Sequence, residues 1–318
     1  MKVLAFQQGA WRESGEITPE AARDLAWGPT LVWIRLEGLE QKKLESLGVV
    51  FDLHPLALED VMSHRQRPKV EDYPNLTFVV ARAPRWDREN DEMSWLTVGI
   101  FLGPDFLITC CTDPVAELDM VEKRLLQQKV GHKGASIDHA FYQVIDSIVD
   151  SYFPIMDELE DRIESLEEGV IESAERHELQ KIQDLKHIIS QNRKTIFPMR
   201  ETMVALERGE YPNIRDETRL YLRDVADHMT RLSERLEHVK EVAVLCQETW
   251  NATLANQTNI VVRRLTAVTV LVLVPNLIAQ LFGMNLTGIP PWTFWAVTTG
   301  TFAVTIGGVL LARWRKWL

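Results

Sequence analysis

The stretch LTAVTVLVLVPNLIAQLFGMNLTGIPPWTFWAVTTGTFAVTIGGVLLA, residues 265–312, runs for 48 residues without one Asp, Glu, Lys, Arg or His. That is long enough for two membrane spans of about 20 residues each plus a connection. The break falls at Gly283-Met284-Asn285-Leu286-Thr287-Gly288-Ile289-Pro290-Pro291-Trp292, where glycine and proline concentrate as they do at turns. The spacing predicts spans over 265–282 and 292–312. Trp292, Trp295, Trp314 and Trp317 fall near the boundaries, where indole rings settle. Arg263 and Arg264 precede the first span, and Arg313, Arg315 and Lys316 follow the second. The connection carries no base. Basic residues stay inside, so a multi-pass protein of the inner (plasma) membrane is expected, with both termini cytoplasmic. A buried hairpin of a soluble protein is the competing reading.

Working outward, the charge is strongly segregated. Hydrophobic residues make up 46% and charged residues 25% of the 318, which is ordinary on average. Yet the formal charge of −11, less the +3 of the tail, leaves −14 on residues 1–264. An acidic body repels nucleic acid and gathers cations, so no nucleic-acid partner is expected. Cys110 and Cys111 are neighbours in the apolar run FLITCCTDP, and Cys246 stands apart. Adjacent strand residues point to opposite faces, which makes a poor joint metal site. All three cysteines read as small buried hydrophobes. MKVLAFQQGAWRESGE does not read as a signal peptide, because its apolar stretch is too short.

Three domains are expected: 1–130, 131–264 and 265–318, the last with an outer loop near 283–292. The first alternates strand patterns (KVLAF, TLVWIRL, LTFVVARA, MSWLTVGIFL, DFLITCC) with helix patterns (PEAARDLA, LEQKKLESL, PLALEDVMS, PVAELDMVEKRLLQ), predicting an α/β domain with a mixed sheet. It holds no phosphate loop, dinucleotide fingerprint or nucleophile elbow, so no enzyme is expected. His54, His64, His132 and His139 are scattered and read as structural or solvated rather than as metal ligands. A helical region follows over about 135–200. Its segment MDELEDRIESLEEGVIES carries eight acids and one base, with Leu159, Ile163, Leu166 and Val170 as an apolar stripe.

From 213 onward one long helix is predicted to run into the first span. Leu222, Val225, Met229, Leu232, Leu236, Val239, Ala243, Cys246 and Trp250 alternate spacings of three and four, a heptad seam. No proline lies between Pro212 and Pro275. A continuous helix over 213–282 would be about 105 Å long and able to carry a cytoplasmic change to the membrane. After Trp250 the seam turns polar at Thr253, Gln257 and Asn259. The first span also carries Thr266, Thr269, Asn276 and Gln280. Polar groups in hydrocarbon need a partner helix or water. Two helices cannot enclose an aqueous path, so these groups either join helices or line a pore built by several copies.

Gly283-Met284-Asn285 at the end of the first of two C-terminal spans resembles the signature of the CorA metal-ion transporter superfamily. The resemblance extends to His64-Arg65-Gln66-Arg67-Pro68-Lys69-Val70, to YLRDVADH at 221–228, to Lys194-Thr195-Ile196-Phe197-Pro198-Met199-Arg200 and to Lys316-Trp317-Leu318. It covers essentially the whole chain. It implies a funnel-shaped homopentamer with an α/β cytoplasmic domain, a long helical stalk and two transmembrane helices, embedded in membrane lipid. The implied activity is divalent-cation transport, of Mg²⁺ with Co²⁺ and Ni²⁺ beside it, gated by cytoplasmic cation and needing no resident cofactor. Gly283, Met284 and Asn285 would form the selectivity filter, with five Asn285 amides holding a hydrated ion. Asn259, Val262, Leu265 and Val274 would line the pore. Asp224, with Asp87 as its partner, would form a regulatory cation site. The outer loop lacks the acid usual in the magnesium branch, and its Gly288-Ile289-Pro290 looks more like the proton-coupled zinc branch. A non-conducting membrane-anchored sensor or scaffold is the third reading.

Overall fold

Short runs of Val, Ile, Leu and Phe, each bounded by turn residues, build a seven-stranded mixed sheet from the first third of the chain. The computed structural model describes residues 1–318 except 16, 29, 64–65, 88–91, 128–135, 173–174, 284–289, 291 and 316–318. The strands are β1 (Lys2–Gln7), β2 (Ala10–Glu13), β3 (Leu31–Glu37), β4 (Lys69–Tyr73), β5 (Leu76–Asp87), β6 (Glu92–Leu102) and β7 (Phe106–Cys111). Their order is β2-β1-β3-β7-β6-β5-β4. Only β3 and β7 pair in parallel, with Ile34 opposite Ile108; the other pairs are antiparallel. The five strands expected from sequence are present. The two beyond expectation, β2 and β4, are the sheet's edges, where charged sequences such as KVEDY blunt unpaired backbone and erase the apolar alternation.

Helices cover both faces of this sheet. On one lie α1 (Pro19–Ala26), α2 (Gln41–Phe51) and α3 (Pro55–Met62), packed over Val32, Ile34, Phe78, Val80, Phe101 and Ile108. Thr18 caps α1 by accepting from the Ala21 N–H at 3.3 Å. Gly99 of β6 lets Val61 of α3 sit against the strand, in the space a Cβ would take. On the other face lie α4 (Ala116–Gln127) and α5 (Ile137–Asp150). Between α4 and the sheet sits Arg35, 1% exposed: its two terminal guanidinium nitrogens donate to Glu122, Glu37 and Asp119. Cys110 and Cys111 point to opposite faces and both are fully buried. Burial pushes both thiols up, Cys111 to about 12, which suits inert packing residues.

The expected helical region over 135–200 divides into α5, α6 (Phe153–Glu172) and α7 (Arg176–Arg208). The long helix is α8 (Asp216–Gly283), followed by α9 (Trp292–Trp314). The chain forms two compact units: Met1–Ser165 with Lys181–Val244, and Leu166–Gln180 with Leu245–Leu318.

In the first unit, the α8 seam from Leu222 to Ala243 is buried throughout, against α6 and α7. Its register is fixed by polar clasps. Arg235 holds Glu160 at 2.7 Å and Asp157 at 2.6 Å, Arg193 holds Glu237 at 3.0 Å, and Arg200 donates to Ser233 at 3.1 Å. Glu158 pairs with Arg162 at 2.9 Å, so among the described residues at least three of the eight acids in the acidic segment are ion-paired rather than simply solvated. At the head of the bundle, Arg215 binds the nearly buried Asp138 carboxylate at 2.8 Å. In the second unit, Trp250 donates to the Glu175 carbonyl at 3.1 Å, closing the seam.

Candidate metal centre and ion path

The regulatory acid expected at Asp224 lies on α8, on the same helical face as His228 one turn later. His228 Nε2 is 3.6 Å from an Asp224 oxygen. Facing them is α5, whose Tyr142, Asp146 and Asp150 repeat every fourth residue and so share one side of that helix. His228 Nδ1 lies 3.9 Å from Asp150 Oδ1. One ligand atom from each of Asp146, Asp150 and His228 falls within a mutual distance of 4.8 Å. Phe153 meets the His228 ring edge-on at 5.5 Å and fixes its plane. Three carboxylates and one imidazole thus converge between two helices that are distant in sequence.

The electrostatics are those of a site short of positive charge. Burial, and then the neighbouring Asp150, raise the Asp146 carboxyl above its ordinary value, against the pull of Arg124 4.0 Å away. The Tyr142 hydroxyl is pushed up to about 12, by burial first and then by Asp146, Asp224 and Asp150. Like charges held this close disfavour one another, and a bound cation reverses that penalty. Trans ligands in an octahedral Mg²⁺ shell are only about 4.2 Å apart, twice the metal–oxygen distance. Donors up to 4.8 Å apart therefore suit an ion that keeps some of its water. An imidazole in the set also suits a borderline ion such as Co²⁺.

Sequence reasoning missed Asp146, Asp150 and His228. Their signal was the spacing of four within each helix; what it lacked was the pairing of α5 with α8. Asp87, the expected partner of Asp224, is the last residue of β5, and its side chain lies outside the described residues. The histidines that read as structural divide: His54 caps α3 by accepting from the Leu56 N–H at 3.3 Å and stacks on Tyr73, while His64 and His132 lie outside the described residues.

The residues expected to line an ion path lie on the C-terminal part of α8. Val262, Leu265 and Val274 are 54%, 66% and 39% exposed, and Asn259 is exposed too. Almost nothing of the most apolar 18-residue window in either span is buried in the protomer, 6% in α8 and none in α9. A soluble hairpin would bury such windows, so that reading fails. Thr266 and Thr269 donate to the carbonyls of Val262 and Leu265 at 2.9 and 2.8 Å. Their hydroxyls satisfy themselves within the helix and need neither partner nor water. Asn276 and Gln280 have no such outlet among the described residues and are exposed.

At about 100° per residue, Asn259, Val262, Leu265, Asn276 and Gln280 fall within one arc of about 120°. Val274, beside Pro275, falls about 120° from Val262 on a straight helix. Gly283 closes α8, and Met284 and Asn285 lie outside the described residues.

The family model described as CorA-like Mg²⁺ transporter protein matches residues 29–315. The cobalt/magnesium transport protein CorA of Thermotoga maritima is 28% identical, over 100% of this chain and 92% of that protein. The zinc transport protein ZntB of Pectobacterium atrosepticum is 22% identical, over 96% of this chain and 93% of that protein. Among solved structures, the complete CorA magnesium transporter from Methanocaldococcus jannaschii superposes with a TM-score of 0.83 at 22% identity, covering 100% of this chain and 99% of that one.

Proposed function

The chain belongs to the CorA-like Mg²⁺ transporter family, whose members are transporters and not enzymes, and on that premise we propose that five copies form a cation channel gated from the cytoplasm. Transport of divalent metal cations across a membrane is the activity of the family. The finer reading is that Mg²⁺ passes hydrated through an Asn285 ring and down a path lined by Asn259, Val262, Leu265 and Val274, continued by Asn276 and Gln280. The observation that carries it is the exposed pair of amides, Asn276 and Gln280, on the otherwise apolar membrane span of α8. Unpaired amides in hydrocarbon are costly, and a water-filled lumen between symmetry-related copies of α8 removes that cost.

Val262 and Leu265, one below the other, form an apolar ring able to close by dewetting. The gate is biased by the carboxylate cluster between α5 and the same α8: cation held by Asp146, Asp150, Asp224 and His228 relieves their repulsion and favours the closed arrangement, and its loss favours opening. Asp87 of a neighbouring copy would complete this site. Both termini are cytoplasmic, in accord with the arginines at one end of both spans.

Zinc carried with protons is the second reading, favoured by the acid-free Gly288-Ile289-Pro290 loop. Uptake into liposomes of Mg²⁺ and Zn²⁺, with and without a pH gradient, separates them. Mg²⁺ entry indifferent to the gradient is expected; Zn²⁺ entry that rises with inward proton drive, without Mg²⁺ entry, places the chain in the zinc branch.

A further inference from the structure

Glu248 is the last acidic residue of the chain, and five cations follow it: Arg263, Arg264, Arg313, Arg315 and Lys316. Two of the five flank one cavity. It lies between α8 and α9 within the second unit and has a volume of about 570 Å³. Arg263 and Arg315 stand at one end, and Val270, Leu271, Gly308 and Leu311 are among the residues that line the rest. From Arg263 to Leu271 is eight residues, about 12 Å along the helix, so the cavity runs from a charged mouth into the apolar span. Val270 and Leu311 stay 52% and 58% exposed along it. A Cβ on Gly308 would come within 2.8 Å of Leu271 Cδ2, so the absence of a side chain there keeps the slot open. The Trp314 ring lies 5.7 Å from the Arg315 guanidinium, an indole at the level where a membrane turns from headgroup to chain. Among the described residues neither arginine pairs with a carboxylate.

We propose that this groove binds one anionic glycerophospholipid per protomer, its phosphate between Arg263 and Arg315 and one acyl chain along Val270, Leu271, Gly308 and Leu311. Charge complementarity selects the occupant. A second copy of these spans would bring further positive charge and no carboxylate side chain, because residues 249–318 contain none. A zwitterionic lipid would bring its own cation against the arginines. An anionic lipid supplies the missing negative charge and an apolar tail at once, the pairing by which basic pockets between spans recognise headgroups.

The test is retention of lipid by the full-length protein, reconstituted in bilayers of phosphatidylcholine with added phosphatidylglycerol and read by native mass spectrometry. Wild type is expected to keep phosphatidylglycerol over phosphatidylcholine by on the order of tenfold, given two basic partners. The pair R263Q/R315Q is expected to lose that preference. The pair R264Q/R313Q removes the same charge off the groove and is expected to keep it. Gly308→Leu fills the slot while leaving both arginines, and is expected to release the lipid. Equal loss in both arginine pairs would mean a diffuse surface field and overturn the proposal. So would wild type without preference, or undiminished retention in Gly308→Leu.

Discussion

Asp146 shows how a binding group is held at the expense of the empty fold. Its carboxyl is raised by burial and by Asp150, so its ionised form is disfavoured in the folded protein. An acid with a raised folded-state value weakens the fold as pH climbs past its unfolded value. Asp146→Asn is therefore expected to raise the melting temperature of the metal-free protein. The same change removes one of the proposed ligands, so the gain on adding Mg²⁺ should shrink; at a hundred times Kd that gain is about 2.7 kcal/mol for one site. Melting curves with and without Mg²⁺ check both signs, and a variant that keeps the full Mg²⁺ gain would remove Asp146 from the site. At this scale Asp224 was legible, through the motif around it. Asp146 and Asp150 were not, because they come from a helix 74 or more residues earlier, and only the packing of α5 on α8 brings them to His228. Thr266 and Thr269 mislead in the other direction: polar in the sequence, they are self-satisfied in the helix.

Among elements, the joint between α5 and α8 rests on Asp138 and Arg215. Burial would raise the Asp138 carboxyl, but hydrogen bonds from Arg215, Ser136 and Thr218 outweigh it and hold it at about 2, below the ordinary 3.8. A depressed acid contributes stability above its unfolded value and loses it as pH falls through the folded one. That contribution, on the order of 2 kcal/mol, is expected to fade between pH 4 and pH 2. Arg215→Gln should remove it at neutral pH and flatten the acid limb, as read by thermal unfolding against pH. An unchanged acid limb would show that the pair does not hold the joint. Elements with a strong period were legible: the five core strands, the heptad seam and both spans. The edges β2 and β4 were hidden by their charge, and the breaks between α5, α6 and α7 by the unbroken helical composition around Ser151 and Glu175.

For the whole molecule, the division of labour follows the segregation of charge. On the proposed reading the acidic part collects cation and senses it, and the charge-free part crosses the membrane. The overall architecture was readable because a 48-residue charge-free run has few structural solutions. Assembly was legible only as a need: one protomer leaves Asn276 and Gln280 exposed on an apolar span, and the proposed ring of copies would give them water. On the proposed reading cation crosses through that ring, past Asn285. The most direct test is entry of Mg²⁺ into dye-loaded proteoliposomes, comparing wild type with Asn285→Ala at equal incorporation. Entry through wild type with its loss in Asn285→Ala is the predicted result; no entry through wild type, or equal entry through both, would contradict it.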